Sequence, residues 1–301
     1  MCGIVGLFAK SSEIESSLGE HLAAMLTQMS DRGPDSAGVA VYRNPAPAGS
    51  SKLTLYSSDP FQDWDALAAE LGNVFGGSPE ASVRSSHAVV VVETDAVEAE
   101  AWVKRSHPEL RVMSAGQTIE IYKETGRPEN FVSQFALGDF HGSHALGHTR
   151  MATESRVTTE GSHPFSTGLD LCLVHNGSLS NHNRLREELR RKGIGFQTEN
   201  DTEVAAAYLA WRLHEGASLE QALEGSLEDL DGFYTFLVGT ADGFAVLRDP
   251  IACKPAVIAE SDDWVAMASE WRAIAVLPGA SEARTWEPAP GVVYAWERAK
   301  V

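Results

Sequence analysis

The chain opens on an apolar run and continues with apolar residues at helical spacing. Residues 4–9 are all apolar or glycine, which predicts a short buried strand. Leucine and methionine recur at helical spacing within residues 13–29, so we expect one amphipathic helix with a buried face there. Gly33-Pro34 predicts a turn after that helix, and the apolar residues 37–42 predict the next strand.

The middle of the chain has the pattern of a small α/β unit. Helices are expected over residues 63–75 and 95–106, and strands over residues 87–93 and 117–123. No catalytic pattern occurs in this stretch. We therefore treat approximately 55–140 as an insertion into the surrounding fold.

The second half of the chain has two long helices followed by a run of short strands. Asn181 is placed to cap a basic amphipathic helix that ends near Gly193, and Asp201 is placed to cap a helix over residues 202–214. Five short strands follow, at residues 233–239, 244–248, 257–259, 265–268 and 292–296. Runs of strands with a few long helices favour a layered α+β fold over a parallel βαβ sheet.

The amino-acid composition limits the kinds of partner that the protein can bind and indicates the compartment in which it is found. Hydrophobic residues make up 43% and charged residues 22% of the 301 residues, and the formal net charge is -18. An acidic surface repels phosphate backbones, so nucleic acid is not expected as a partner. No apolar run approaches the ~20 residues of a membrane helix, and no signal-like leader is present, so we expect a cytoplasmic protein away from the membrane. Three scattered cysteines favour free thiols.

Cys2 is the first candidate for chemistry. Removal of Met1 would make it the N-terminal residue, with its free amine a few ångströms from its own sulfur. An α-amino group ordinarily titrates near pH ~8 and a thiol near ~8.5, so both are within reach of proton exchange at neutral pH. Nucleophile and general base can then come from one residue. Alternatively, Cys2 has no chemical role and is simply a small residue that precedes a buried strand.

A metal site at His141, His144 and His148 is the less favoured interpretation of these histidines. The last two are four residues apart, but glycines interrupt any helix in this stretch. No carboxylate or cysteine stands at a familiar ligand spacing. We therefore expect no metal and no cofactor in this chain.

Nine short motifs follow one another in a fixed order from residue 2. Each has a plain structural explanation on its own, such as helix capping. Together they resemble the class II glutamine amidotransferases, which are N-terminal-nucleophile hydrolases, and the resemblance covers the chain outside roughly 55–140. The motifs are Cys2-Gly3-Ile4, Arg32-Gly33-Pro34-Asp35-Ser36, residues 147–153, His163-Pro164, His175-Asn176-Gly177, Asn200-Asp201-Thr202-Glu203, Leu230-Asp231-Gly232-Phe233, Arg248-Asp249-Pro250 with Lys254-Pro255, and Ala268-Ser269-Glu270.

The resemblance implies an α+β fold, a four-layer αββα sandwich of the N-terminal-nucleophile hydrolase type with an α/β insertion. The whole chain, residues 1–301, would be a single class II glutamine amidotransferase domain. The insertion of approximately 55–140 is then a candidate for docking a partner or sealing an ammonia path. Its length and its lack of chemistry suggest such a role.

The resemblance also implies residue roles. The Cys2 sulfur would attack the side-chain amide carbon of glutamine, and its amine would shuttle the proton. Asn176, through its side-chain NH2, and Gly177, through its backbone N–H, would form the oxyanion hole. Arg150 would bind the substrate α-carboxylate as a two-pronged donor, and Asp201 would accept from its α-ammonium.

Three further residues are implied to support that site. Thr153 and His175 fall in the motifs that line the substrate, and Arg32 would orient the Cys2 end of the chain. Met151 and Glu154 depart from residues that several relatives carry after the arginine and the threonine. These departures indicate a less familiar branch and leave the nucleophile and the oxyanion hole intact.

The sequence between the last motif and residue 301 leaves no room for a domain that would use released ammonia, so a separate synthase subunit is expected. The resemblance is closest to the amidotransferase subunit of bacterial N-methylglutamate synthase and its glutamate-synthase-like relatives. It rests on residues 147–155, 173–182, 231–236 and 248–255. It implies a hetero-oligomer in which ammonia from glutamine, or methylamine from γ-glutamylmethylamide, passes to a partner subunit. That partner would bear FMN and an iron–sulfur cluster.

Two alternatives remain open at this point. The chain could be a non-catalytic regulatory subunit on the same fold, which only the insertion and the acidic surface favour. It could also hydrolyse another amide or acyl substrate. The Arg150 and Asp201 pair argues against the second alternative, because that pair suits an amino acid head group.

Overall fold

The computed structural model of the chain describes residues 2–152 and 156–298. The strands are β1 (Gly3–Ala9), β2 (Ser36–Tyr42), β3 (Ser51–Tyr56), β4 (Ala81–Arg84), β5 (His87–Val92), β6 (Arg111–Gly116), β7 (Ile119–Thr125), β8 (His144–Arg150), β9 (Phe165–Gly168), β10 (Leu171–Leu179), β11 (Gly232–Gly239), β12 (Gly243–Arg248), β13 (Val257–Glu260), β14 (Trp264–Ala268), β15 (Arg284–Trp286) and β16 (Val293–Glu297). The helices are α1 (Ser12–Ser16), α2 (Leu18–Thr27), α3 (Trp64–Phe75), α4 (Ala96–Ser106), α5 (Pro128–Gln134), α6 (His182–Arg191), α7 (Asp201–His214), α8 (Leu219–Asp229) and α9 (Trp271–Ile274).

Two antiparallel sheets face each other at the centre of the molecule. One has the strand order β15-β13-β14-β1-β8-β2-β7, and the other has the order β16-β12-β11-β10-β9. Helices α2, α5 and α9 cover the outer face of the first sheet, and α6, α7 and α8 cover that of the second. The predicted four-layer αββα sandwich is therefore confirmed.

Strand β1 shows how the sequence specifies these layers. Val5 and Leu7 point toward the helical layer, while Ile4 and Phe8 point into the core between the sheets. Such alternation is expected of a strand with an apolar layer on each face. Gly6 leaves room for the opposite sheet, since a Cβ there would stand 2.6 Å from Leu237 Cδ2.

A four-stranded sheet of order β4-β5-β3-β6 forms the inserted unit. Its chain order is β3-α3-β4-β5-α4-β6, which is the βαββαβ arrangement of ferredoxin-like modules. Helices α3 and α4 pack on one face through an apolar cluster that includes Leu53, Leu71 and Val90. We call residues 51–116 the inserted module.

The inserted module rests on the edge strand β7 of the seven-stranded sheet. The Lys52 ammonium lies 3.0 Å from a Glu120 carboxylate oxygen, and Ile121 N donates to the Thr54 hydroxyl. An edge strand covered in this way does not present its backbone to other chains. The module is narrower than the expected insertion of 55–140, because β7 and α5 pack within the sandwich.

Several predicted elements differ from the observed ones. The single helix expected over residues 13–29 is divided at Ser17 into α1 and α2. Asp201 was expected as a cap, but the cap of α7 is Asn200, whose side chain accepts from Thr202 N. Asn181 stands at the start of α6 without a capping bond and instead bonds the backbone at Asp229 and Asp231. Within the described residues, no helix combines the length and apolar character that a membrane crossing requires.

Candidate active site

Cys2 lies immediately before β1, at the end of a central strand flanked by β8 and β14. Its side chain is half-buried beside Met151. The Met151 amide nitrogen donates to the Cys2 sulfur at 3.5 Å, and the sulfur lies 3.8 Å from the Met151 carbonyl oxygen. The thiol is therefore held at the end of the sheet while remaining within reach of solvent.

Two side chains bind the Cys2 carbonyl oxygen. Arg32 Nε donates to it at 2.9 Å, and Asn176 Nδ2 donates to it at 3.1 Å. Arg32 is itself held by Glu270, whose carboxylate oxygen lies 2.5 Å from a guanidinium nitrogen. Because Asn176 comes from β10 of the opposite sheet, the contact places Cys2 at the seam between the two sheets.

Gly177 occupies a position on β10 that only glycine fits. Its φ is +153°, and a Cβ there would lie 2.0 Å from the Phe233 carbonyl oxygen. A side chain would therefore push β10 away from β11. The glycine keeps the backbone beside Asn176 open, next to the Cys2 carbonyl.

Asp201 and Arg150 approach the same region from different elements. The Asp201 carboxylate accepts from Leu179 N at 3.0 Å and lies 3.8 Å from His175 Nδ1, so it is fixed against β10. Arg150 is buried at the end of β8, and its guanidinium donates to the Gly161 carbonyl at 3.2 Å. It borders a cleft of about 500 Å³ that extends to Asn200 at the start of α7. Thr153 lies outside the described residues.

Three buried histidines, His148, His163 and His175, form a cluster around β10, where the sequence implied a substrate-lining role for His175 alone. His163 Nδ1 accepts from the backbone N–H of His175, and His163 Nε2 lies 3.3 Å from the Thr202 hydroxyl. His148 stacks on His163 at 4.0 Å and bonds the His175 carbonyl through Nε2. The cluster thereby ties β8 and the first turn of α7 to the strand that carries Asn176. Each histidine falls in one of the sequence motifs, but the sequence did not indicate that the three rings pack together.

Burial keeps these imidazoles neutral. Desolvation lowers the pKa of His148 to about 3 and that of His163 well below its usual value, and it also lowers the pKa of His175. A neutral His163 that accepts at Nδ1 carries its proton on Nε2, so it donates to Thr202. Neutral rings are suited to hold a backbone in place without adding charge beside Cys2. Among the described residues, no group of three or more His, Cys, Asp or Glu side chains is placed to hold a metal ion.

We expect the protein to lose stability steeply below neutral pH. Burial lowers the pKa values of His87, His144 and His148 to about 3 each, while an unfolded histidine titrates near ~6.5. Their contribution is fully present above pH ~6.5 and is lost as the pH falls toward 3, because only the unfolded state binds the protons there. Each group contributes up to about 1.4 kcal/mol per pH unit, so the free energy of unfolding should fall by roughly 4 kcal/mol per unit between pH 6 and 4.

Urea unfolding at pH 7, 6 and 5 measures this slope. A His144→Gln variant, which removes one of these groups, should reduce the slope by up to about 1.4 kcal/mol per pH unit. An unfolding free energy that stays constant from pH 7 to pH 5 would contradict the assignment of neutral buried rings.

Comparisons with known proteins show which sequences and folds this chain is similar to. A family model described as a glutamine amidotransferase domain matches residues 148–276. A glutamine amidotransferase-like protein, GlxB, from Rhizobium meliloti is 54% identical over 301 residues, which is 100% of this chain and 99% of the relative. A putative glutamine amidotransferase from Methanothermobacter thermautotrophicus is 32% identical, with 98% of this chain and 99% of the relative covered.

A solved structure shares the fold at lower identity. A glutamine phosphoribosylpyrophosphate amidotransferase from B. subtilis superposes with a TM-score of 0.63 at 21% identity. The match covers 98% of this chain and 47% of that one, so this chain spans about half of the larger enzyme. The matches along the full length of the two relatives, together with this fold, show that the chain belongs to the class II glutamine amidotransferases.

Proposed function

We propose that this chain is the glutaminase-type subunit of a multi-subunit synthase. It would hydrolyse the side-chain amide of glutamine, or of γ-glutamylmethylamide, and pass ammonia or methylamine to a separate flavin-containing synthase subunit. The synthesis of N-methylglutamate or glutamate is the reaction proposed for the complex. The observation that carries the glutaminase part is the binding of the Cys2 carbonyl by both Arg32 and Asn176, with Gly177 alongside.

The first half of the proposed reaction forms a thioester. Once Met1 is removed, the Cys2 amine accepts the thiol proton, and the sulfur attacks the side-chain carbonyl carbon of the substrate. The carbonyl oxygen becomes an oxyanion, which Asn176 Nδ2 and the Gly177 N–H would stabilise. The C–N bond then breaks, the amine returns the proton to the departing nitrogen, and a γ-glutamyl thioester remains on Cys2.

The second half regenerates the thiol. Water gives a proton to the Cys2 amine and attacks the thioester carbon, forming a second oxyanion at the same donors. The C–S bond breaks, the amine returns the proton to the sulfur, and glutamate leaves. Arg150, at the end of β8, and Asp201, held against β10, would bind the α-carboxylate and the α-ammonium through both halves. Thr153, His175 and Arg32 remain proposed supporting residues of this site.

A comparison of two substrates tests the proposal. Full-length protein lacking Met1, as checked by intact mass, is incubated with glutamine and with γ-glutamylmethylamide. We expect glutamate from both, with ammonia from the first and methylamine from the second, because the leaving nitrogen differs by one methyl group. The ratio of the two kcat/KM values then identifies the preferred substrate. Absence of glutamate release from either substrate, with every co-purifying partner present, would support the regulatory alternative.

The proposed partner is tested by isolation from the native cell. Co-purification followed by an absorbance scan should show a flavin spectrum in the fraction that contains this chain. FMN and an iron–sulfur cluster are proposed for that partner and not for this chain. A complex with no flavin would contradict the synthase assignment and leave the glutaminase proposal standing.

A further inference from the structure

Lys123 is a buried cation in a part of the sequence that showed no chemistry. It lies on β7 and is only 4% exposed. Its ammonium donates to the carbonyl oxygens of Ser162 at 2.9 Å, Glu160 at 3.1 Å and Pro164 at 3.2 Å. All three acceptors belong to one segment, residues 160–164, which we call the site loop. The three donors of one ammonium therefore hold the site loop at three points.

The site loop reaches the proposed catalytic residues on both sides. The Gly161 carbonyl accepts from the Arg150 guanidinium at 3.2 Å. His163 accepts from the backbone N–H of His175, the residue before Asn176. A displacement of the site loop would therefore move the Arg150 side chain. It would also disturb the hydrogen bond that holds the backbone of β10 at His175.

The seven-stranded sheet is shaped to receive the site loop. Lys123, Gly38 and His148 lie side by side on three neighbouring strands, as the strand registers show. A Cβ on Gly38 would lie 2.1 Å from the His163 carbonyl oxygen, so the loop backbone lies directly on the glycine. His148 stacks on the His163 ring at one side, and Lys123 binds the loop carbonyls at the other.

We infer that Lys123 is a positioning residue for substrate binding, because its ammonium fixes the site loop and thereby the Arg150 guanidinium. This inference rests on the proposed function, in which Arg150 binds the substrate α-carboxylate. The lysine would act through the loop, without touching the substrate.

The surroundings of Lys123 bring the pKa of its ammonium close to neutral pH. Burial lowers the pKa of its ammonium to about 7, while the nearby carboxylates of Glu203 and Glu160 act in the opposite direction. The other charged or titratable groups that face it are Arg150, His163 and His87. A neutral amine has two N–H donors for three carbonyls, so deprotonation above pH ~7 releases one contact. Substrate affinity should therefore fall as the pH rises from 6 to 8.

Lys52 provides a matched control for removing this lysine. It is equally buried, and its ammonium donates to the Arg43 and Asn44 carbonyls at 2.8 and 2.7 Å, but its contacts lie under the inserted module. Lys123→Met and Lys52→Met both remove a buried ammonium that binds backbone carbonyls. Lys52→Met also removes the ion pair with Glu120, and neither of the Lys52 carbonyl partners belongs to the site loop. A merely structural role would lower urea stability in both variants without a selective effect on substrate.

The experiment measures glutamine KM and kcat, and the Kd of glutamate, in the full chain lacking Met1 at pH 6, 7 and 8. We expect Lys123→Met to raise KM and Kd by about tenfold at pH 6 with a smaller change in kcat. The wild type should approach that weaker affinity by pH 8, whereas the variant should be flat from pH 6 to 8. Lys52→Met should keep the wild-type affinity and pH dependence.

Equal affinities in wild type and Lys123→Met, or the same change in Lys52→Met, would overturn the inference while leaving the glutaminase proposal intact. If Lys123→Met does not fold, the wild-type profile decides, and a constant Kd from pH 6 to 8 rejects the role. A wild type that neither binds glutamate nor hydrolyses glutamine would instead overturn the proposed function, and this inference with it.

Discussion

Replacement of Cys2 by alanine is expected to abolish glutamine hydrolysis. The sulfur is the only atom that the proposed reaction bonds to the substrate, and Asn176 and Arg32 position it through the backbone carbonyl. Loss of a catalytic nucleophile lowers kcat by roughly 10⁶-fold in the best-studied hydrolases, so the residual rate should be indistinguishable from background. Glutamate release from saturating glutamine, followed by a coupled assay, measures the effect.

Cys253→Ala is the matched control for that substitution. Cys253 is exposed and has a free thiol, so its loss should leave the rate unchanged. A partner synthase supplied with free ammonia should also remain active with the Cys2→Ala chain, because only the release of ammonia is blocked. Wild-type glutaminase activity in Cys2→Ala would eliminate the thioester mechanism.

Asn176→Ala is expected to lower kcat by about 10²–10³-fold, the usual cost of one oxyanion-hole donor. The Gly177 N–H remains, so activity should be reduced and not abolished. Asn176 Nδ2 is 3.1 Å from the Cys2 carbonyl in the free protein. KM should change little, because the donor acts mainly on charge that develops during the reaction.

Asn181→Ala provides the comparison for an asparagine outside the site. Asn181 stands at the start of α6, and its side chain donates to the carbonyl of Asp229 at the end of α8. Its removal should therefore affect stability more than rate. A loss of less than tenfold in Asn176→Ala, or an equal loss in both variants, would show that Asn176 does not stabilise the oxyanion. Rates measured under single-turnover conditions would separate thioester formation from its hydrolysis.

Strong apolar patterns in the buried strands predicted those strands and the layered α+β class. The four-layer arrangement was implied by the resemblance to the class II amidotransferases. The resemblance also implied which motifs lie near Cys2, and the structure brings Arg32 and Asn176 into hydrogen-bond contact with that residue. The roles of these residues remain predictions. The strand β4 was missed because it is short and partly exposed, with no apolar alternation to reveal it.

The parts of the site that escaped prediction depend on contacts between distant segments. Lys123 stands on a strand where a charged residue ordinarily faces solvent, and only the folded loop at residues 160–164 explains its burial. The N-cap of α7 was assigned to Asp201 instead of Asn200, since both residue types favour that position. Asp201 is turned toward β10 by a bond to Leu179 N that the local sequence does not indicate.

The inserted module joins the sandwich at two neighbouring points, which bears on how the module can be gained or lost in evolution. Its first and last strands, β3 and β6, are paired, with Lys52 opposite Gly116. Paired strands lie about 5 Å apart, so the entry and exit points of the module are separated by little more than one residue step. The 66-residue module (residues 51–116) therefore connects to the sandwich through two adjacent points, as a tight turn would. Such an attachment allows the module to be gained, lost or exchanged between lineages without rearranging the layers that hold Cys2.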